Sequence, residues 1–219
     1  MERWRWGRVT NPIRGILHGV AGLAAAAGAA LLVIRATAGK HAIAGLVFGL
    51  SLVAMYTVST IYHAVDWRAS ARSFMQRLDH SMIFLVVAGT FTPFGVVLLD
   101  DPLRLVLLGL VWGMAVVGIT LKFVLPRVKT GLSVGLQHAM GWSSLVAVPV
   151  IWQKIGGGAV AMIVAGGFFY TAGTVIFAVK RPRLFPRVFS YHELFHVMVI
   201  LGSLFHFLAI LWFVMPYTA

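Results

Sequence analysis

YHELFHVMVILGSLFHFLAILWFVM, Tyr191–Met215, is the stretch whose reading decides the fold. A run this apolar and this long suits a membrane-spanning helix, which needs about 20 residues to cross roughly 30 Å of hydrocarbon. Its mouth is polar. In Ser190-Tyr-His192-Glu193-Leu-Phe-His196 the two histidines are four apart, so a helix sets both imidazoles on one face. The same letters spell H-E-x-x-H, the pattern of zinc proteases. A polar pair at the start of a membrane helix is costly, which makes it a candidate site.

The rest of the chain supports the membrane reading. Of 219 residues, 60% are hydrophobic and only 11% charged, a balance foreign to soluble domains. We therefore expect an all-α integral membrane protein: one domain, residues 1–219, folded as a seven-transmembrane helix bundle. The spans fall near Ile13–Ile34, Ala42–Tyr62, Leu78–Leu98, Leu103–Val124, Leu132–Trp152, Gly157–Val179 and Tyr191–Met215. Strands with open edges are excluded in hydrocarbon because their backbone groups would go unpaired. The first apolar run is of full membrane length with no cleavage pattern after a short apolar stretch, so it reads as retained.

The formal charge of +12 could suggest nucleic acid, but the basic residues sit in short loops between apolar runs. Fourteen of the eighteen Lys and Arg fall on one side: Arg3, Arg5, Arg8, Arg14, Arg68, Arg72, Arg77, Lys122, Arg127, Lys129, Lys180, Arg181, Arg183 and Arg187. Only Arg35, Lys40, Arg104 and Lys154 fall on the other. The positive-inside rule then puts the N-terminus in the cytoplasm and the C-terminus outside. Trp4, Trp6, Tyr62, Trp67, Tyr191 and Tyr217 read as interface anchors. Gly45, Gly49, Gly109, Gly113, Gly166, Gly167 and Gly173 suit close helix packing, and Pro93 is expected to kink the third helix.

Orientation brings separated residues to one depth. The second helix ends inside at Ser59-Thr-Ile-Tyr-His63, with Ser59 and His63 on one face; the third begins inside at Arg77-Leu-Asp79-His80. Ser59, His63, Asp79, His192 and His196 thus converge near the cytoplasmic ends of helices two, three and seven. With no cysteine, any metal must rest on imidazoles and carboxylates. A catalytic zinc takes three protein ligands and a water, whose proton a nearby carboxylate can accept. Asp79 is typed for that role, and Ser59 for hydrogen bonding the water or the oxyanion. Taken singly, each residue has a plainer reading: a structural His pair, a dipole partner for Asp79, back-bonding for Ser59. Their coincidence at one depth favours a metal site.

Five other histidines read as outside the ligand set. His80 points about 100° away from Asp79. His18 and His138 read as polar packing, and His41 as an outer-surface residue. His206 lies about 15 Å deeper than His196, too far to share a metal.

Ser59-x-x-x-His63, the stretch Arg77-Leu-Asp79-His80 through Thr90-Phe-Thr-Pro93, and Tyr191-His192-Glu-Leu-Phe-His196 together resemble the bacterial hemolysin III family. That family is grouped with the progestin and adiponectin receptors, and the resemblance runs from Arg14-Gly-Ile-Leu-His18 to the last helix. It implies seven helices with a cytoplasmic N-terminus, in the plasma membrane of a bacterium. It implies zinc, with His63, His192 and His196 as ligands and Asp79 holding the water. Ser59 falls where the wider superfamily, alkaline ceramidases included, places a serine. Lipid-amide or ester hydrolysis is the implied activity, with the substrate entering from the bilayer and membrane lipids as partners. The family name also records cytolysis. Around Glu2, Asn11 and His18 the chain departs from the family's pattern, which leaves His18 without an implied role.

Other readings compete. A zinc protease would use Glu193 as base, although Glu193 is about 100° off the His192–His196 face. A haem carrier would need facing histidines and a large apolar slot. A receptor, or a membrane-homeostasis or cytolytic protein, would hold structural zinc completed by Asp79. A retinal protein finds no buried Schiff-base candidate, because Lys40, Lys122, Lys129, Lys154 and Lys180 all lie at helix ends or in loops.

Overall fold

Apolar periodicity and length turn nearly all of the chain into helix. In the computed structural model, described for residues 5–6, 9–125, 130–185 and 188–218, a two-residue antiparallel pairing of Arg5–Trp6 with Val9–Thr10 precedes the helices. Then come α1 (Pro12–Arg35), α2 (Gly39–Ala64), α3 (Ala69–Leu98), α4 (Leu103–Val124), α5 (Thr130–Ser143), α6 (Val148–Val179) and α7 (Tyr191–Ala209). A 3₁₀ turn, Ser144–Ala147, joins α5 to α6, and a π turn, Ile210–Val214, extends α7. Among the orientation charges and anchors, Arg3, Trp4, Arg8, Arg127, Lys129 and Arg187 lie outside the described residues, as does Glu2.

Among the described residues, six helical runs are long and apolar enough to cross a membrane, so the chain is a multi-pass α-helical membrane protein. One of them, Gly131–Val179, has 49 residues. It is not a single rod: Gly156 has φ 82 and ψ 172, outside the helical region and open to glycine but not to L side chains. After that break the chain packs beside α7. Gly158 faces Phe213, Gly166 faces His206 and Gly173 faces Met198, so the two run antiparallel.

The surface is apolar wherever lipid would touch it: Leu23 is 76% exposed and Ile34 77%. Inside, Phe48, Phe84, Leu98, Val111, Ile210 and Met215 form a core around α3, the most enclosed helix. α3 begins at Ala69 rather than near Leu78, because Ala69–Arg77 continues the helix into the polar connection. It also runs unbroken past Pro93. Glycine sets the closest helix approach at Gly49, where an added Cβ would lie 2.9 Å from Ala29 Cα. Gly109, Gly113 and Gly167 face open space instead, so close packing does not account for them.

α7 is fastened to the first hairpin at both ends. At its start, Glu193 Oε1 accepts from Arg14 Nε at 2.6 Å. At its end, His41 Nε2 lies 2.9 Å from the Tyr217 carbonyl, and Thr37 Oγ1 donates to the Met215 carbonyl at 3.2 Å. His41 is thus not a surface residue: it is 3% exposed and ties down the C-terminal turn. On that same side Lys154 pairs with Asp100 at 2.7 Å, and Arg104 with Asp101 at 2.8 Å.

Candidate metal centre

The start of α7 is set by its own sequence. Ser190 caps the helix and Glu193, at the third position, returns a carboxylate oxygen to the Ser190 N–H at 2.8 Å. This capping box satisfies two backbone donors that the first turn cannot. It starts the helix at Tyr191 and fixes the phase on which His192 and His196 share a face.

The second helix meets that face. His63, in the last turn of α2, His192 and His196 each offer a nitrogen, and the three nitrogens lie within 4.8 Å of one another. Ring centroids are 5.1 Å apart for His63–His192, 4.9 Å for His63–His196 and 5.0 Å for His192–His196. His63 and His196 are buried and His192 half-buried. Phe177 of α6 closes one side, edge-on to His192 at 5.2 Å.

Chemistry decides what such a group can hold. Protonated imidazoles this close would repel, and neutral ones cannot all donate and accept among themselves without cost. Nδ1 of His196 is buried with no hydrogen-bond partner. Three neutral imidazole nitrogens in a buried cluster with no thiolate fit a borderline divalent cation, so this group could hold a metal ion.

The carboxylate sits beside the triad's second helix. Asp79, half-buried on α3, has the Ser59 hydroxyl of α2 as its hydrogen-bonding neighbour. Ser59 is one turn before His63 and 3% exposed. The five residues that sequence placed at one depth therefore gather at one end of α2, α3 and α7. Asp79 is not in the three-nitrogen group.

The remaining histidines separate clearly. His138 bonds through Nδ1 to the Val134 carbonyl of its own helix at 2.9 Å. His206 bonds the Gly202 carbonyl at 2.8 Å and stacks on Tyr170, and His80 is half-buried outside the triad. His18 packs as expected, but its packing partner is a member of the three-nitrogen group. Its ring stacks on His196, centroids 3.9 Å apart and 28° between planes.

The haemolysin-III related family model matches residues 6–207, most of the chain. The chain belongs to the haemolysin-III related family. Its relatives include Hemolysin-3 of Bacillus cereus, 30% identical over 206 residues that cover 92% of this chain and 90% of the relative. Hemolysin-3 homolog of Bacillus subtilis (strain 168) is 28% identical over 167 residues, 76% of this chain and 75% of that one. Heptahelical transmembrane protein ADIPOR2 of Oryza sativa subsp. japonica is 30% identical over 183 residues, 75% and 79% of the two chains. This haemolysin-III related chain thus sits within the progestin and adiponectin receptor superfamily.

Sequence reasoning on this family member missed two residues. Glu193 is not idle: it holds the helix cap and Arg14. The signal was present as Ser190-x-x-Glu193, a capping box ahead of an apolar run. His18 carried only the weak signal of an i, i+4 spacing from Arg14 on one helix face.

Proposed function

We propose that the chain is a zinc-dependent hydrolase of a lipid amide or ester, with its centre at the cytoplasmic end of a seven-helix domain. The observation that carries this is the buried three-imidazole group formed by residues from two helices 129 positions apart at the nearest. His63, His192 and His196 would hold the zinc, which supplies Lewis acidity and a nucleophilic water near neutral pH. Asp79 would accept a proton beside that group and return it to the leaving amine or alcohol. Ser59 holds the Asp79 carboxylate in place and is available to the developing oxyanion. The half-buried flank at His192 and Phe177 leaves a side from which a lipid could approach.

Seven crossings with the N-terminus inside make the best account of the topology. Arg14 and Glu193 put the starts of α1 and α7 at one end, and Lys154 and Asp100 put the Gly156 break beside the far end of α3. A run that begins after α4 and returns before α7 would then cross twice, which supports seven crossings. The lysine and arginine bias supports the orientation, and a bacterial plasma membrane suits the relatives.

The protease reading is weaker here because both Glu193 oxygens are engaged, one by Arg14 and one by the Ser190 N–H. Haem is weaker because rings about 5 Å apart leave no room for a macrocycle. A receptor or cytolytic protein with structural zinc, its shell completed by Asp79, is the second reading, and the absence of Asp79 from the three-nitrogen group weighs against it. Metal analysis of purified protein, followed by assay on long-chain amides and esters, tests the proposal. Stoichiometric zinc without hydrolysis supports the second reading; absence of zinc sinks both.

A further inference from the structure

The proposed chemistry leaves His18 unused, although α1 presses it against the centre. α1 and α7 meet in two rungs one helical turn apart. The first is Arg14 with Glu193; the second is His18 with His196. Four residues on α1 and three on α7 both correspond to about one turn, so the two rungs share one register. Tyr56 of α2 closes the other side of His18, edge-on with centroids 5.0 Å apart.

His18 is only 3% exposed, and apart from a loose approach to the His196 backbone neither Nδ1 nor Nε2 has a hydrogen-bond partner among the described residues. A buried imidazole without good hydrogen bonds is costly, and flat packing on His196 would be met at lower cost by phenylalanine. A polar side chain kept in a membrane helix at that cost indicates a partner of its own. His18 is also outside the group whose nitrogens lie within 4.8 Å of one another, so it is not placed as a fourth ligand of the same ion.

We propose that His18 is a binding residue for the oxygen-bearing ligand of the metal centre. From α1 it supplies an imidazole nitrogen to the oxygen of a carbonyl, carboxylate or hydroxamate that occupies the position the three histidines leave open. The ligand class is thus an oxygen donor able to accept or share a hydrogen bond, which a thioether or amine would not satisfy. This rests on the metal reading above.

Cobalt-substituted full-length protein in detergent tests it, with acetohydroxamate as the probe and the cobalt absorption spectrum as the readout. His18→Phe keeps a flat ring on His196 without nitrogens, and His18→Gln restores a hydrogen-bonding group. All should bind one cobalt per chain. His18→Phe should weaken acetohydroxamate binding about 10- to 100-fold, the range found for outer partners of metal centres, and His18→Gln should recover part of it. Wild-type affinity in His18→Phe, no recovery in His18→Gln, or a wild-type cobalt spectrum blind to the probe would each overturn the inference. If His18→Phe yields no folded protein, His18→Leu against His18→Gln carries the same comparison. Failure of the wild type to take up cobalt overturns the metal reading itself, a result distinct from the others.

Discussion

Arg14 Nε donates to Glu193 Oε1 at 2.6 Å, joining the first turn of α1 to the first turn of α7. The other Glu193 oxygen accepts from the Ser190 N–H. One carboxylate therefore fixes where α7 begins and how α1 lies against it, and His192 and His196 depend on that position.

Glu193→Gln should keep the metal while losing stability. The pair is largely shielded, with side chains 22% and 7% exposed. Breaking a fully buried pair costs about 3–5 kcal/mol, and solvent at Arg14 lowers this to about 1–3 kcal/mol. Thermal unfolding in detergent should shift downward with metal content unchanged. An unshifted transition would remove the structural role, and loss of hydrolysis with full stability would revive the protease mechanism.

His63→Ala, His192→Ala and His196→Ala should each lose the bound zinc or bind it far more weakly. Elemental analysis after gel filtration reads this directly. One zinc per chain surviving in all three would place the metal elsewhere.

Asp79→Asn should retain zinc and lower kcat by about 10²–10⁴, the usual loss for a general base. Ser59→Ala should cost less, because it removes a hydrogen bond and not the base. Equal metal loss in both variants would instead assign Asp79 to a structural shell.

Gly49→Ala should destabilise by about 1–3 kcal/mol, since the added methyl meets Ala29 and its backbone cannot yield as a flexible side chain does. Metal affinity should be unaffected once the protein is folded. An unfolding transition equal to wild type would mean that α1 and α2 separate freely.

At the opposite end, Lys154 holds the Asp100 carboxyl below its ordinary value, chiefly through their hydrogen bond. A depressed folded pKa contributes stability that is present above the unfolded value and lost as pH falls through the folded one. The pair should therefore contribute its full, constant stabilisation from pH 5 to neutrality and lose it only as the pH falls below about 4. NMR titration of Asp100 in Lys154→Ala should show the carboxyl moving up. No movement would dissolve the pair, which salt should also weaken because Asp100 is exposed.

The sequence by itself determined the class, the approximate helices and the site's ingredients. Apolar runs of membrane length admit one backbone solution, and i, i+4 spacing assigns Ser59 with His63 and His192 with His196 to shared faces. Those inferences rest on local geometry, which a linear string carries. What only the tertiary structure decided is which helices touch and in what register. His18 looked like packing because nothing local links it to a residue 178 positions away, and His41 looked exposed because its partner is the chain's far end. Glu193, central to the HELFH pattern, turns away from the histidines toward Arg14. Pairings of that kind depend on packing between distant helices, so the fold reveals them and the string does not.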